Sequence, residues 1–158
     1  MTILKADPDD AEQLTELTMR SKAHWGYTES QMEKWRDELT ISREYIGMHT
    51  VYKLIGEAGI LGFYSFKTDK QNTIKLDSLF VEPEFIGRGF GSMLLEDFLR
   101  RVQNEKEVLV TLEADPNAAG FYLDKGFQIT GQKKTSIPGR YLPVMELSLG
   151  GLRGPGDE

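Results

Sequence analysis

Glycine recurs at alternate positions in one short segment, Gly87-Arg88-Gly89-Phe90-Gly91-Ser92, between a predicted strand and a predicted helix. Glycine lets the backbone turn so that several N–H groups point into one concave nest. The helix N-terminus adds about half a positive charge at the same place, and Arg88 can add a guanidinium. Because these features attract anions, the segment is predicted to bind a phosphate or pyrophosphate.

Two other interpretations of the glycine segment are open. One is a tight strand-to-helix turn, although such a turn needs fewer glycines. The other is a dinucleotide-binding fold, since Glu113 ends the next strand roughly where a ribose-binding acid would lie. Against that fold, Ser92 stands at the third glycine position of its motif, residues 82–86 are long for a tight turn, and little chain remains for a doubly wound sheet. No Gly-Lys-Ser/Thr follows the glycines, which excludes a P-loop kinase.

Helical patterns open the chain. Asp7-Pro8 supplies an N-cap and a proline at the first helical position, and apolar residues follow at helical spacing. Thr28-Glu29-Ser30-Gln31 has the capping-box pattern and precedes a second apolar face. Two helices are therefore predicted in the first part of the chain.

Six strands are predicted after these helices, at residues 51–55, 60–67, 73–81, 108–112, 127–133 and 143–149. Gly56-Glu57-Ala58-Gly59 is typical of a hairpin turn. Apolar residues at helical spacing after the glycine segment predict a strong helix. Asp115-Pro116 caps a further helix that ends at Gly126, a plausible C′ glycine.

This order of elements predicts an α/β fold of mixed α+β character. Its central sheet should have six to seven mostly antiparallel strands, with about four flanking helices. The strand–helix–strand unit over residues 73–112 should be parallel and right-handed. Residues 1–149 are predicted to form a single domain, and residues 150–158 a disordered tail.

The composition excludes several classes of protein. The 158 residues carry a formal net charge of −6, which argues against a general nucleic-acid binder. The absence of cysteine excludes disulfides, thiolate metal sites and a cysteine nucleophile. No metal-ligand cluster occurs, and no stretch of about 20 apolar residues could span a bilayer. The first ten residues lack a signal-peptide run, so a cytoplasmic protein is expected.

Two segments carry a family resemblance. Residues 79–95 read LFVEPEFIGRGFGSMLL, and residues 115–127 read DPNAAGFYLDKGF. The first resembles the acetyl-CoA motif of the GNAT superfamily of N-acetyltransferases, a strand and a hydrophobic-x-Pro element before Gln/Arg-x-x-Gly-x-Gly/Ala. The second is similar to that superfamily's Asn-x-x-Ala…Phe-Tyr-x-x-x-Gly-Phe segment. The element order also fits over about residues 1–149, and the paired motifs make the resemblance specific.

The resemblance implies acetyl-CoA as the co-substrate and assigns roles to motif residues. Leu79, Phe80 and Val81 would pair with the pantetheine arm and polarise the thioester carbonyl. Asn117 would bond to the pantetheine, and Tyr122 would sit beside the sulfur. The pyrophosphate would bind the segment formed by Ile86, Gly87, Arg88, Gly89, Phe90, Gly91 and Ser92. Ile86 stands where the motif prefers Gln or Arg, so weaker affinity is expected.

Acetyl transfer to an amine needs a neutral nucleophile, donors for the oxyanion and a proton for the departing thiolate. Without cysteine, direct attack in a ternary complex is the simplest route. The resemblance makes Tyr122 the candidate acid, although an aromatic packing residue is the commoner role for such a side chain. Asp77 and Glu113 are both catalytic candidates, because either could take a proton directly or through water, or bind a cationic substrate. Asp77 is preferred for binding substrate and Glu113 for a water-relayed base. The alternative for both is a solvated charge at a strand edge.

The acceptor amine is not identified by the sequence. Trp25 and Tyr27 lie in the aromatic break between the first two helices and are predicted to hold it by cation–π contact, with packing on the core as the alternative. A polyamine, an amino acid, an aminoglycoside, a protein N-terminus and a lysine all fit. A second hypothesis is a catalytically silent acyl-CoA-binding sensor of the same fold. A homodimer is allowed, and neither nucleic acid nor membrane is expected as a partner.

Overall fold

The computed structural model describes residues 1–103 and 106–150, so residues 151–158 of the predicted tail lie outside the described residues. The chain divides into two compact units. The first unit comprises Met1–Phe66 and Ser78–Phe98. The second comprises Lys67–Asp77 and the described residues from Leu99 onward.

The described ranges contain five α-helices and seven strands. The α-helices are α1 (Ala11–Ala23), α2 (Glu29–Leu39), α3 (Arg43–Met48), α4 (Phe90–Val102) and α5 (Ala119–Asp124). The strands are β1 (Thr2–Lys5), β2 (Thr50–Gly56), β3 (Gly59–Lys70), β4 (Thr73–Val81), β5 (Val108–Glu113), β6 (Gln128–Lys134) and β7 (Tyr141–Leu149). Over residues 1–103 and 106–150, no helix has both the length and the apolar character needed to cross a membrane.

The strands form a mixed sheet in the order β1-β2-β3-β4-β5-β7-β6. β4 and β5 are parallel, whereas β1–β2, β2–β3, β5–β7 and β6–β7 are antiparallel. This confirms the predicted mixed sheet with one parallel strand–helix–strand unit. The sequence prediction lacks two short elements that the structure contains, β1 and α3.

Capping residues start two helical segments of the first unit where the sequence predicts, the 3₁₀ turn Pro8–Asp10 that leads into α1 and the helix α2. Asp7 accepts a hydrogen bond from the Asp9 amide, while the Asp10 carboxylate accepts one from the Asp7 amide. Thr28 and Gln31 form the same reciprocal arrangement at the start of α2. Each pair satisfies amide groups that a helix N-terminus leaves without intrahelical partners. The local sequence therefore sets these two helix starts.

Helices cover both faces of the β2–β3 pair in the first unit. On one face, Leu14 of α1 belongs to a buried cluster with Val51 and Phe63. On the other face, Tyr64 packs edge-on against Phe98 of α4, with ring centroids 5.6 Å apart. Phe63 and Tyr64 point to opposite faces because successive strand residues alternate. Burial of each such side chain is worth about 1.5–3 kcal/mol.

β3 approaches the end of β4 very closely at Gly62. A Cβ atom built at Gly62 would lie 2.7 Å from the Phe80 carbonyl oxygen and 3.0 Å from Leu94 Cδ1. Because real Cβ atoms do not approach backbone oxygen so closely, a side chain here would push the end of β4 away. Gly62 therefore fixes the strand end that leads into the glycine segment.

The parallel ladder of the second unit is short. In the described residues it comprises three pairs, from Thr73–Leu109 to Lys75–Thr111. β4 nevertheless continues through Asp77 in this unit. On its other side β5 pairs along its whole length with β7, which in turn pairs with β6. The two parallel strands therefore stop pairing before they end.

Candidate cofactor-binding loop and active-site residues

Tight turns carry the chain of the first unit from β4 to α4. The Phe85 amide donates to the Glu82 carbonyl at 2.9 Å, and the Arg88 amide donates to the Phe85 carbonyl at 3.4 Å. The Met93 amide then donates to the Gly89 carbonyl at 3.0 Å, the first hydrogen bond of α4. The glycine segment is thus continuous with the helix start, as predicted.

Gly87 and Gly89 adopt φ angles of 88° and 84°. Residues with a side chain rarely adopt such angles, so the backbone here needs glycine. Within the described residues, no acceptor partners the amides of Gly87, Gly89, Phe90, Gly91 or Ser92. Because these amides lie at and just before the N-terminus of α4, they can donate to an anion, and the helix dipole adds to the attraction.

The side chains of the loop contact one another as well. The Arg88 guanidinium lies 5.4 Å from the centre of the Phe85 ring, which packs edge-on against Phe90 at 6.0 Å. The Ile86 side chain is 39% exposed. The loop therefore carries one cationic side chain, Arg88. The apolar Ile86 stands where the GNAT motif prefers Gln or Arg.

The predicted acyl-binding strand residues lie at the end of β4. Phe80 packs against Phe63, with ring centroids 5.9 Å apart, on the face covered by α1. Val81 is buried. Leu79, which precedes them in the chain, is half-buried. The amide that follows, of Glu82, donates to the Leu61 carbonyl at 2.8 Å and so attaches the strand end to β3.

An ion pair that the sequence analysis missed joins α1 to the loop. Arg20 donates from Nε and Nη2 to the two carboxylate oxygens of Glu82, at 2.9 and 2.7 Å. The hydrogen bond to Glu82, followed by the attraction of its charge, raises the pKa of Arg20 against the opposing effect of burial. The partners are 62 residues apart in the chain. No local pattern in the sequence could have paired them.

The same ion pair borders a cleft of the first unit with a volume of about 360 Å³. Three carboxylates face it beside the single guanidinium. Its lining comprises Glu12, Gln13, Glu16, Leu17, Arg20, Ala58, Gly59, Ile60 and Glu82. The cleft is therefore mainly acidic. It includes Glu82, the first residue of the loop between β4 and α4 (residues 82–89, the glycine loop).

The two aromatic residues predicted for the acceptor site, Trp25 and Tyr27, pack against different partners. Tyr27 packs edge-on against Trp35 at 4.8 Å, and the Lys22 ammonium lies 5.4 Å from the centre of both rings. Trp25 packs against His24 at 5.6 Å and is 43% exposed. Tyr27 therefore already makes a cation–π contact with a residue of its own unit, whereas much of the Trp25 side chain faces solvent.

Tyr122, in the second unit, is buried among aromatic rings. It packs edge-on against Phe121 at 5.1 Å and Phe127 at 5.5 Å. Burial raises the pKa of its phenol well above the ordinary range. Among the described residues its hydroxyl has no hydrogen-bond partner, and no enclosed side-chain oxygen there lacks one. The hydroxyl oxygen must therefore reach the surface of the unit, although the ring is buried.

The two candidate carboxylates of the second unit lie near lysines. Glu113 accepts from Lys75 at 3.3 Å and from Lys133 at 3.2 Å. Asp77 is 3.9 Å from the ammonium of Lys67. Glu113 therefore lies between two ammonium groups, and the Asp77–Lys67 contact is longer than either contact of Glu113.

Asn117 forms part of the cap before α5. Its backbone amide and its side-chain amide both donate to Asp115 Oδ1, each at 2.9 Å. Asp115 also lies 3.6 Å from Arg140. The structure therefore places Asn117 in the hydrogen-bonded turn before α5.

Comparison with known proteins gives a match over most of the chain. The model of a family described as an acetyltransferase (GNAT) domain matches residues 12–147. An uncharacterized N-acetyltransferase, ycf52 of Gracilaria tenuistipitata var. liui, is 24% identical over 90 residues, 57% of this chain and 50% of that protein. The peptidyl-lysine N-acetyltransferase YjaB of Salmonella typhimurium is 34% identical over 74 residues, 46% of this chain and 48% of that protein. The match thus spans about half the length of these curated relatives.

Solved structures share the fold. The PaiA N-acetyltransferase from Thermoplasma acidophilum, in complex with coenzyme A, aligns with a TM-score of 0.70. The alignment covers 92% of this chain and 98% of that one at 21% sequence identity. At this identity the likeness concerns the fold.

Proposed function

Because this chain belongs to the acetyltransferase (GNAT) domain family, we propose that it moves an acetyl group from acetyl-CoA to a primary amine of a small molecule or protein. The observation that carries the proposal is the loop before α4. The amides of Gly87, Gly89, Phe90, Gly91 and Ser92 have no acceptor within the described residues, and two of the loop's glycines take the backbone angles such a loop needs. A pyrophosphate has the charge and the oxygens to accept from these groups.

The rest of the cofactor would be held by strand and cap residues. The backbone of Leu79, Phe80 and Val81 is proposed to pair with the pantetheine arm and to polarise the thioester carbonyl. The short β4–β5 ladder of the second unit supports this role for β4, because strand groups beyond Lys75 are not used in that ladder. Asn117 is proposed to bond to the pantetheine.

The chemical step is proposed to be direct attack. The neutral amine nitrogen attacks the thioester carbonyl carbon, the carbon–sulfur bond breaks, and CoA leaves as a thiolate. Tyr122 then donates its phenolic proton to the sulfur, and the nitrogen loses a proton through Asp77 or through water near Glu113. Because burial raises its pKa, the Tyr122 phenol is in its protonated, donor form at neutral pH, as an ordinary phenol also would be.

The acceptor is proposed to be cationic before it is deprotonated. The net charge of −6 and the acidic cleft of the first unit both favour such an acceptor. Exposed Trp25 can add a cation–π contact, and Tyr27 can do so where Lys22 gives way. A lysine side chain, the acceptor named for the Salmonella relative, is one member of this class.

The proposal also covers organisation and location. Residues 1–149 would act as one catalytic domain in the cytoplasm, alone or as a homodimer. Neither nucleic acid nor a membrane would be a partner.

Two measurements test the proposed function. Acetyl-CoA at about 100 times its Kd should stabilise the native protein by ~2.7 kcal/mol, visible as a rise in melting temperature. A shift with NAD and none with acetyl-CoA would instead support a dinucleotide site. An amine panel with detection of free CoA thiol should then show turnover with at least one amine. Binding of acetyl-CoA without thiol release with any amine would identify an acyl-CoA sensor.

A further inference from the structure

Glu82 attaches the glycine loop to the rest of the first unit. Its amide donates to the Leu61 carbonyl of β3 at 2.8 Å, and its carboxylate accepts two hydrogen bonds from Arg20 of α1. Among the described residues, every other hydrogen bond made by residues 82–88 stays within that segment. The path of the loop toward the amides that follow therefore depends on how Glu82 is held.

The geometry of the Arg20–Glu82 ion pair restricts the Glu82 carboxylate. Two parallel N–H···O bonds fix the orientation of a carboxylate as well as its position. The Glu82 side chain is 17% exposed, and that of Arg20 is 53% exposed. The carboxylate is thus the more enclosed partner, and the guanidinium holds it from the solvent side.

We propose that Arg20 is a positioning residue for acetyl-CoA. By holding Glu82 in its bidentate ion pair, it fixes the start of the loop, so that the Gly87 to Ser92 amides keep the arrangement that receives the pyrophosphate. The inference rests on the proposed function and adds to it a residue on α1, far from the glycine motif in the sequence.

Charge alone would give a different pattern from positioning. Removing Arg20 takes a positive charge away from an anion site, and removing the Glu82 carboxylate takes a negative charge away. Electrostatics therefore predicts opposite effects on acetyl-CoA affinity. Loss of positioning predicts the same effect, because either change breaks the same pair.

The experiment compares acetyl-CoA affinity by isothermal titration calorimetry in the full-length protein. Arg20→Ala and Glu82→Ala should each raise Kd by about three- to tenfold, the range for a strong, partly exposed ion pair. The double variant should be no weaker than the weaker single variant, because the two changes remove one interaction. Arg20→Lys should restore little, since an ammonium cannot form the bidentate pair.

Arg43→Ala is the matched control. Arg43 forms an ion pair with Asp9 in the same unit, away from the glycine loop. Its removal changes the net charge as Arg20→Ala does and should leave Kd within about twofold. Melting temperatures of all variants separate loss of affinity from loss of folding, and the KM for acetyl-CoA should rise together with Kd in Arg20→Ala and Glu82→Ala.

Tighter binding in Glu82→Ala, or unchanged Kd in both single variants, overturns the positioning role and leaves acetyl transfer standing. If Arg20→Ala fails to fold, the sign of the change in Glu82→Ala decides the question. A wild-type protein that binds no acetyl-CoA overturns both this inference and the proposed function.

Discussion

The raised pKa of Tyr122 follows from the burial of its ring between Phe121 and Phe127. Burial in an apolar setting disfavours the phenolate, so the hydroxyl stays protonated at neutral pH. The hydroxyl oxygen nevertheless reaches the surface of its unit. A protonated phenol that still meets its surroundings can donate to a leaving thiolate, whereas a fully enclosed one could not.

Replacing Tyr122 by Phe keeps the ring and removes the proton donor. We expect kcat to fall by roughly ten- to a thousandfold with little change in the KM for acetyl-CoA, the pattern of a lost transition-state interaction. Tyr141→Phe removes a phenol that is 44% exposed in the same unit and serves as the control. Steady-state kinetics and melting temperatures are measured for both variants. Wild-type kcat in Tyr122→Phe would show that Tyr122 only packs the core.

The same residue makes a prediction about alkaline stability. A tyrosine in the unfolded chain ionises near pH 10, while folded Tyr122 keeps its proton to higher pH. Above about pH 10 the unfolded state therefore binds fewer protons than the folded state, so the free energy of unfolding falls as pH rises. Below that pH its contribution is constant. Urea titrations from pH 8 to 11 should show a smaller decline in Tyr122→Phe than in wild type and no such change in Tyr141→Phe.

Among the elements, the glycine loop allows backbone strain to be separated from ligand contact. Gly89 and Gly139 have φ angles of 84° and 78°, and a Cβ atom at either would meet nothing within 4 Å. Alanine at each should therefore destabilise the fold similarly, by ~1–2 kcal/mol. Gly89→Ala should also raise the Kd for acetyl-CoA by about tenfold or more, since the loop amides must move. Gly139→Ala should not.

Calorimetric titration with acetyl-CoA and urea unfolding of both variants provide the two readouts. Wild-type affinity for acetyl-CoA in both Gly89→Ala and Gly139→Ala would mean that the loop is a turn without a ligand. Equal loss in both would mean that strain alone, anywhere in the fold, weakens binding.

Elements with a local signal could be predicted from the sequence. β4 begins and ends at the predicted residues, because apolar residues alternate along it and turn residues bound it. β1 has four residues and one half-buried side chain, and α3 has six residues, so neither shows a period. Such short elements form because tertiary packing holds them, not because of their own propensity.

Contacts between distant parts of the chain could not be predicted in the same way. The sequence indicates the anion-binding loop, since glycine spacing and a helix start are local. It does not show that Arg20 pairs with Glu82, or that Lys75 and Lys133 flank Glu113. Each of these depends on which helix face or strand edge meets which. The sequence thus predicts the part of the candidate site that local backbone forms. It does not predict the part formed by side chains from distant segments.

For the whole molecule, the net charge of −6 opposes the approach of an anionic cofactor. Under the proposed function, a few amides and Arg88 would have to attract the pyrophosphate against this repulsion. The attraction acts over a short range and the repulsion over a longer one. The Debye length is about 10 Å at 0.1 M salt and about 30 Å at 0.01 M, so salt weakens the longer-range term first.

The charge of the molecule and the charge of the loop can be separated with two arginine substitutions. Ile86→Arg places a guanidinium in the loop at a side chain that is 39% exposed, and Met48→Arg adds the same charge at one that is 77% exposed on α3. Both raise the net charge by one unit. Ile86→Arg should lower the Kd for acetyl-CoA by about two- to fivefold at 0.02 M salt and by less at 0.15 M, since a surface ion pair is weak and screened. Met48→Arg should change Kd by less than about 1.5-fold, because it affects the overall field without contacting the ligand.

Equal gains in the two variants would show that net charge governs binding. No gain in Ile86→Arg at either salt concentration would place the pyrophosphate away from the loop.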